Sequence, residues 1–258
     1  MRKVVIDIGG TKTLISIMEN GRIKSIENFS TPKNREELLR ILSKSFEYSG
    51  SIENLNVAIA GRYKDNKVIL SPNIPLQNFN LGRFLSEFKN VRIDNDTVCA
   101  AYNLIKKNVR NALLINWGTG IGGAIIIDGK VYKGEGRAGE VGHLRLLDGD
   151  WEDRIGGKAF EKRFNVDGMN LQRMALEGNK SAIEKLNIIG IEFGEFIVSM
   201  VYLLDPEEIY IYGGVINSWA FMKKGVKKKL EEYSMKKRIY VIRDRYFTLR
   251  GCYYLDEF

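Results

Sequence analysis

The feature that most constrains this chain is an internal repeat. With a shift of 108 positions, the distance from Gly10 to Gly118, Val4-Val5-Ile6-Asp7-Ile8-Gly9-Gly10-Thr11 falls on Ala112-Leu113-Leu114-Ile115-Asn116-Trp117-Gly118-Thr119. The same shift brings Ile17 onto Ile125 and Gly21 onto Gly129, the glycines lying in the turns Glu19-Asn20-Gly21-Arg22 and Ile127-Asp128-Gly129-Lys130. Each copy reads as strand, Gly-rich turn, strand, tight turn, strand. At 258 residues the chain reaches the size where one domain commonly becomes two, so two lobes are expected.

Helical signals follow each copy. Asn34, with Glu37 three residues on, precedes Leu38, Leu39, Ile41, Leu42 and Phe46, which predicts a capped amphipathic helix. Leu55 to Ile59 reads as a buried strand leading to Gly61, and a looped region with Ser71-Pro72-Asn73 and Pro75 follows. A short helix is expected near Leu81 to Phe88, then a strand at Val91-Arg92-Ile93 that runs into Asp94-Asn95-Asp96. Val98, Ala101, Tyr102 and Ile105 recur at helical spacing, so a helix begins at Asn95-Asp96. In the second half a Gly-rich insert, Gly134 to Gly157, precedes a long helix stopped by Pro206. Ile209 to Tyr212 is a strand closing on Gly213-Gly214, Asn217 opens a lysine-rich helix, and a strand at Ile239 to Ile242 and a tail from Leu249 to Leu255 complete the chain.

Composition excludes little. Cys99 and Cys252 are far apart in apolar settings, which offers neither a disulfide framework nor a CxxC pair. The apolar start opens a strand rather than a secretory signal, and Phe196 to Leu204 falls well short of the roughly 20 residues of a membrane span. A cytoplasmic protein with a buried core helix at that point is expected. The net charge of +8 and pI near 9.3 suit nucleic acid, anionic lipid or a polyphosphate substrate alike. Lys223, Lys224, Lys227, Lys228 and Lys229 alternate with Phe221, Met222, Val226 and Leu230 at helical spacing, as on one solvated helix face.

The chemistry gathers at the turns. Gly9, Gly10 and Thr11 can bring backbone N–H groups to an anion because glycine lacks a Cβ, and Thr11 and Thr13 add hydroxyl donors. Asp7 stands where a carboxylate would hold a hydrated magnesium ion beside those phosphates. A single such turn also fits a plain hairpin, and two copies at one offset weigh against that reading. Asp96, at a helix N-terminus, is kept ionised and able to accept a proton, although taken alone it also fits a simple N-cap.

Four ordered segments, Asp7-Ile8-Gly9-Gly10-Thr11-Lys12, Asn95-Asp96-Thr97-Val98-Cys99-Ala100-Ala101, Gly118-Thr119-Gly120-Ile121-Gly122-Gly123 and Gly139-Glu140-Val141-Gly142-His143, closely resemble the ROK (repressor, open reading frame, kinase) sugar kinases over nearly the whole chain. The resemblance implies an α/β, actin-like ATPase fold of the ribonuclease H-like class, with sugar and ATP in a cleft between two lobes. A small N-terminal lobe is expected over 1–110 and a large C-terminal lobe over 111–258, with the last residues packing back on the small lobe.

It further implies Asp96 as the catalytic base for the sugar 6-hydroxyl. Gly61, Arg62, Asn73, Asn95, Glu140, His143 and Glu152 would line the sugar. Asp7, Gly9, Gly10, Thr11, Lys12, Gly118, Thr119 and Gly120 would serve magnesium and phosphates, and Gly213-Gly214 the adenosine. The cofactors implied are ATP and Mg2+, and the assembly a homodimer.

One departure stands out. In the family the histidine often binds a structural zinc with three cysteines of a Cys-x-Cys-Gly-x-x-Gly-Cys loop, whereas here Leu144-Arg145-Leu146-Leu147-Asp148-Gly149-Asp150-Trp151 separates His143 from Glu152. Tetrahedral zinc cannot be assembled from one histidine without nearby thiolates, so no zinc is expected. The Gly61-Arg62 pair looks like that of the N-acetylmannosamine kinases. The expected activity is therefore ATP-dependent phosphorylation of a hexose or N-acetylhexosamine, of glucokinase or N-acetylmannosamine kinase type. The alternatives are a ROK-like sugar-sensing regulator and a non-catalytic sugar-binding protein. Asp7 comes early for a helix-turn-helix ahead of it, and Asp7, Asn95, Asp96, Thr119 and Glu140 are all present, which favours catalysis.

Overall fold

The computed structural model describes residues 1–64 and 67–258. In chain order the first half holds β1 (Arg2–Ile8), β2 (Lys12–Glu19), β3 (Arg22–Ser30), α1 (Arg35–Ser43), β4 (Asn54–Ile59), β5 (Arg62–Lys64), β6 (Lys67–Leu70), α2 (Leu81–Phe84), β7 (Asn90–Asn95) and α3 (Asp96–Ile105). There follow β8 (Ala112–Trp117), β9 (Ile121–Ile127), β10 (Lys130–Tyr132), β11 (Arg145–Leu146), β12 (Gly149–Asp150), α4 (Trp151–Ile155), α5 (Gly157–Phe164), α6 (Gly168–Leu176), α7 (Lys180–Leu204), β13 (Glu208–Tyr212), α8 (Trp219–Glu232), β14 (Arg238–Val241) and α9 (Phe247–Cys252). These group into two compact units, Met1–Val109 with Gly129–Arg137 and Tyr246–Phe258, and Arg110–Asp128 with Ala138–Arg245.

In the first unit the sheet order is β3-β2-β1-β4-β7, with β1 antiparallel to β2, β1 parallel to β4 and β4 parallel to β7. Val4, Val5, Ile6 and Ile8 are fully buried, as a central strand covered on both faces requires. Asn34 caps α1 by accepting the Glu37 N–H at 3.1 Å, and Leu38 and Leu42 turn inward from it. The chain's end is fastened beneath β1. Lys3, almost wholly buried, donates to the Tyr253 carbonyl and pairs with Asp256, while Asn103 on α3 donates to the Phe247 carbonyl at 2.8 Å. A Cβ on Gly251 would lie 2.1 Å from the Cys99 carbonyl oxygen, so α9 crosses α3 at a distance only glycine allows.

In the second unit β9, β8, β13 and β14 neighbour one another in that order, with β8 antiparallel to β9, β8 parallel to β13 and β13 parallel to β14. This repeats the order and sense of β2-β1-β4-β7, so the 108-position offset is a duplication of architecture as well as of residues. The helices α7 and α8 pack closely, since a Cβ on Gly190 would meet the Met222 carbonyl oxygen at 2.3 Å and one on Gly225 the Asn187 carbonyl oxygen at 2.7 Å. α7 is long and apolar enough to cross a membrane by length and composition. Its Leu186, Ile189, Phe193, Phe196 and Ile197 are instead fully buried in this unit's core.

Two local expectations change. α2 ends at Phe84, and Leu85 and Phe88 are buried from turns instead. α8 starts at Trp219 after a single 3-10 turn at Val215–Ser218, so Asn217 is not its first residue. The segment Phe196 to Leu204 is the core helix expected, with Tyr202 and Leu203 exposed because the helical period carries them off the inward stripe of Ile197, Met200 and Val201.

Candidate active site

In the first unit the turn joining β1 to β2 is closed by the Gly9 N–H donating to the Lys12 carbonyl at 2.9 Å. Thr11 and Lys12 point to solvent. Gly10 is required by close approach, since a Cβ there would lie 2.8 Å from the Cβ of Asn73. Thr13, expected to face an anion, is buried instead. Its hydroxyl lies 2.9 Å from that of Thr31, which donates at 2.7 Å to the Gly9 carbonyl, so the pair braces the turn from beneath.

The junction of β7 and α3 settles which residue is the cap. The Asn95 side-chain oxygen accepts the N–H groups of Thr97 at 2.9 Å and Val98 at 3.1 Å, and its amide donates to the Gly61 carbonyl at 3.2 Å. Asp96 is thus the first helical residue, one of its oxygens accepting the Thr97 N–H at 2.7 Å. Asp7, deep in the unit while keeping partial solvent contact, has its carboxyl pushed up to about 8, first by burial and then by the charge of Asp96. Two carboxylates therefore share a field beside the Gly-rich turn. A buried carboxyl so disfavoured as an anion fits a site where a divalent cation would restore its charge.

Asp94 escaped the sequence reading although it adjoins Asn95. One carboxylate oxygen accepts the Asn95 N–H at 2.8 Å and the other binds the Lys133 ammonium at 2.5 Å. Burial and the Asp94 charge push the Tyr63 phenol up to about 12. No local pattern marks Lys133, because its pairing spans 39 residues of chain. Gly61 and Arg62 flank the start of β5, and a Cβ on Gly61 would lie 2.4 Å from the Leu70 carbonyl oxygen, closing the β5–β6 hairpin onto the end of β4.

In the second unit the equivalent turn carries an exposed Thr119, and the Gly118 N–H donates to the Gly120 carbonyl at 3.0 Å. The Gly118 and Thr119 carbonyls accept the N–H groups of Gly157 at 2.9 Å and Lys158 at 3.1 Å, which straps the turn to the start of α5. Glu152 lies directly under it. One carboxylate oxygen accepts the Ile121 N–H at 2.8 Å, and a Cβ on Gly120 would stand 2.2 Å from that same oxygen. Gly213, at φ +112, passes so near Trp117 that a Cβ would lie 2.4 Å from its carbonyl oxygen, whereas Gly214 faces open space.

Glu140 is half-buried and opens a 3-10 turn, Val141–His143, that ends on the histidine. The ring Nδ1 of His143 lies 3.1 Å from Asp150 Oδ2. Burial opposes the imidazolium, but the Asp150 hydrogen bond and the nearby Glu152 and Glu140 carboxylates outweigh it and raise the pKa above the ordinary histidine value. The residues that take the place of the family's cysteine loop form the two-residue strands β11 and β12, with Arg145 opposite Asp150 and Leu146 opposite Gly149. Among the described residues no group of three or more His, Cys, Asp or Glu side chains is arranged to hold a metal ion.

A family model described as ROK family matches residues 3–243. The N-acetylmannosamine kinase of Vibrio cholerae is 37% identical over 159 residues, covering 57% of this chain and 55% of that protein, so the match spans about half the relative's length. The ROK hexokinase from Thermus thermophilus superposes with a TM-score of 0.79 at 25% identity over 98% of this chain and 96% of that one. A ROK family glucokinase from Streptomyces griseus in complex with glucose and AMPPNP gives 0.85 at 22% identity over 98% of each. The fold is the actin-like α/β ATPase fold of these structures.

Proposed function

This chain belongs to the ROK family, and we propose that it is an ATP-dependent kinase that phosphorylates the 6-hydroxyl of a hexose or N-acetylhexosamine. The observation that carries this reading is the register of β1, β4 and β7, in which Ile8 lies opposite Ile59 and Ile59 opposite Asn95, so that Asp7 and Asp96 stand at the same end of the sheet as the first Gly-rich turn, with Asn95 as the helix cap. A carboxylate held at a helix N-terminus by the Thr97 N–H is suited to accept a hydroxyl proton late in phosphoryl transfer, when positioning and charge stabilisation carry most of the catalysis.

In the first unit Gly9, Gly10, Thr11 and Lys12 would present N–H, hydroxyl and ammonium donors to the phosphates. Asn73, Asn95, Gly61 and Arg62 would line the sugar. In the second unit Gly118, Thr119 and Gly120 would serve the phosphates, Gly213 and Gly214 the adenosine, and Glu140, His143 and Glu152 the sugar hydroxyls. Asp7 would hold magnesium through water, and the ion when bound would neutralise phosphate charge. No zinc is needed in this reading, because a hairpin and a carboxylate support His143. Gly61-Arg62 and the name of the Vibrio relative make N-acetylmannosamine the first sugar to try. The protein is expected to act as a cytoplasmic homodimer.

A coupled assay over glucose, mannose, fructose, N-acetylglucosamine and N-acetylmannosamine tests the activity. Asp96→Asn should lower kcat by about 100-fold or more with the protein still folded. A loss within about tenfold would remove Asp96 from the role of base.

A further inference from the structure

The sole histidine of the chain, His143, keeps 56% of its side-chain surface open, whereas its partner Asp150 keeps 13%. Nδ1 faces that sheltered carboxylate at 3.1 Å, and among the described residues none is hydrogen-bonded to Nε2. Asp150 is itself immobilised. Its Oδ1 accepts the Asp153 N–H at 2.8 Å as the N-cap of α4, and its backbone pairs with Arg145 across the β11–β12 hairpin.

From this geometry we propose that Asp150 is the positioning residue of the sugar site: by accepting the Nδ1–H of His143 it fixes the ring plane and tautomer and leaves Nε2 as the one nitrogen offered to a substrate hydroxyl. A carboxylate on one ring nitrogen decides which proton the other carries. In the neutral ring Nε2 is then an acceptor, and in the imidazolium it becomes a donor. The charged groups facing the ring are Asp150 from β12, Glu152 from α4 and Glu140 ahead of the 3-10 turn, with Arg145 on β11 acting on Asp150. All three facing the ring are acidic, so they support the charged form, and Asp150 is the one bonded to it. The two-residue hairpin thereby does by hydrogen bonding what a metal staple would do by coordination. The role at the substrate rests on the kinase reading, while the hold on the ring does not.

A single histidine makes the test direct, because one imidazole gives one set of ring signals in 13C- and 15N-resolved NMR. Asp150→Asn keeps the cap on α4, since asparagine also accepts an N–H there, but turns an N–H2 toward Nδ1. The variant ring should titrate lower than the parent ring, and its neutral form should switch from the Nδ1–H to the Nε2–H tautomer. The sugar KM should rise about tenfold, the worth of one charge-assisted hydrogen bond, with the nucleotide KM unmoved. Asp150→Ser, which caps but does not reach the ring, should lower the titration likewise.

An unchanged titration and tautomer in both variants would overturn the proposal. So would a changed ring with an unchanged sugar KM. A parent that phosphorylates no sugar in the panel, yet shows the expected change of titration and tautomer, would refute the kinase reading and leave the Asp150 hold on the ring standing.

Discussion

Replacing Asp7 with asparagine should stabilise the protein while abolishing its chemistry. The carboxyl is raised from its ordinary 3.8 to about 8, with burial the larger cause and the charge of Asp96 the second. For an acid this sign means that the folded state holds a proton the unfolded chain has released. Stability therefore falls as pH rises from about 4 to about 8 and levels off above that. A shift of about 4 units at about 1.4 kcal/mol per unit gives a ceiling on the order of 5 kcal/mol, and the partial solvent contact of Asp7 reduces it to a few kcal/mol. The asparagine side chain carries no charge to desolvate, so at about pH 8 the variant's melting temperature should exceed the parent's by roughly 5–10 °C. Trp117, Trp151 and Trp219 all lie in the second unit, so tryptophan fluorescence is the wrong probe. Calorimetry between about pH 5 and 8, with hydrogen exchange of β1, reads the first unit. Adding magnesium to the nucleotide should raise the parent's transition further and leave the nucleotide-bound variant's nearly unmoved, because a ligand stabilises only the state that binds it. A parent transition independent of pH over that range, or a variant no more stable at its alkaline end, would refute the argument.

Two further substitutions probe each unit separately. Gly120→Ala puts a methyl within 2.2 Å of the Glu152 carboxylate, so Glu152 must release the Ile121 N–H; sugar KM should rise about tenfold, and an unchanged KM would show that Glu152 does not face the sugar. Lys133→Met leaves Asp94, 19% exposed, holding the Asn95 N–H without its cation; urea unfolding should show a loss of about 1 kcal/mol that Lys133→Arg largely restores, and a neutral Lys133→Met would make the pair a passive surface contact.

What was legible in the sequence was whatever repeats or punctuates locally. The duplicated sheets follow from the offset between Gly10 and Gly118, because a Gly-rich turn between two apolar strands can close in few ways. The cap at Asn34 was readable for a similar reason, since its partner is three residues away. The missed features all depend on partners distant in sequence or on competition between neighbours. Asn95 takes the cap from Asp96 although both residue types cap well, and only the backbone path into α3 decides between them. Thr13 carries the same hydroxyl as Thr11, yet it lies inside β2, whose residues 13–18 are all buried, and bonds to Thr31, whereas Thr11 lies in the turn. Asp150 carries no local mark, because the family pattern at this place consists of cysteines, while the group that meets the histidine is a carboxylate seven residues on, brought back by the β11–β12 hairpin. A site motif thus marks the residues that would touch a ligand more readily than those that aim them. Aiming residues need only be near in space, and several side chains can meet that requirement equally well.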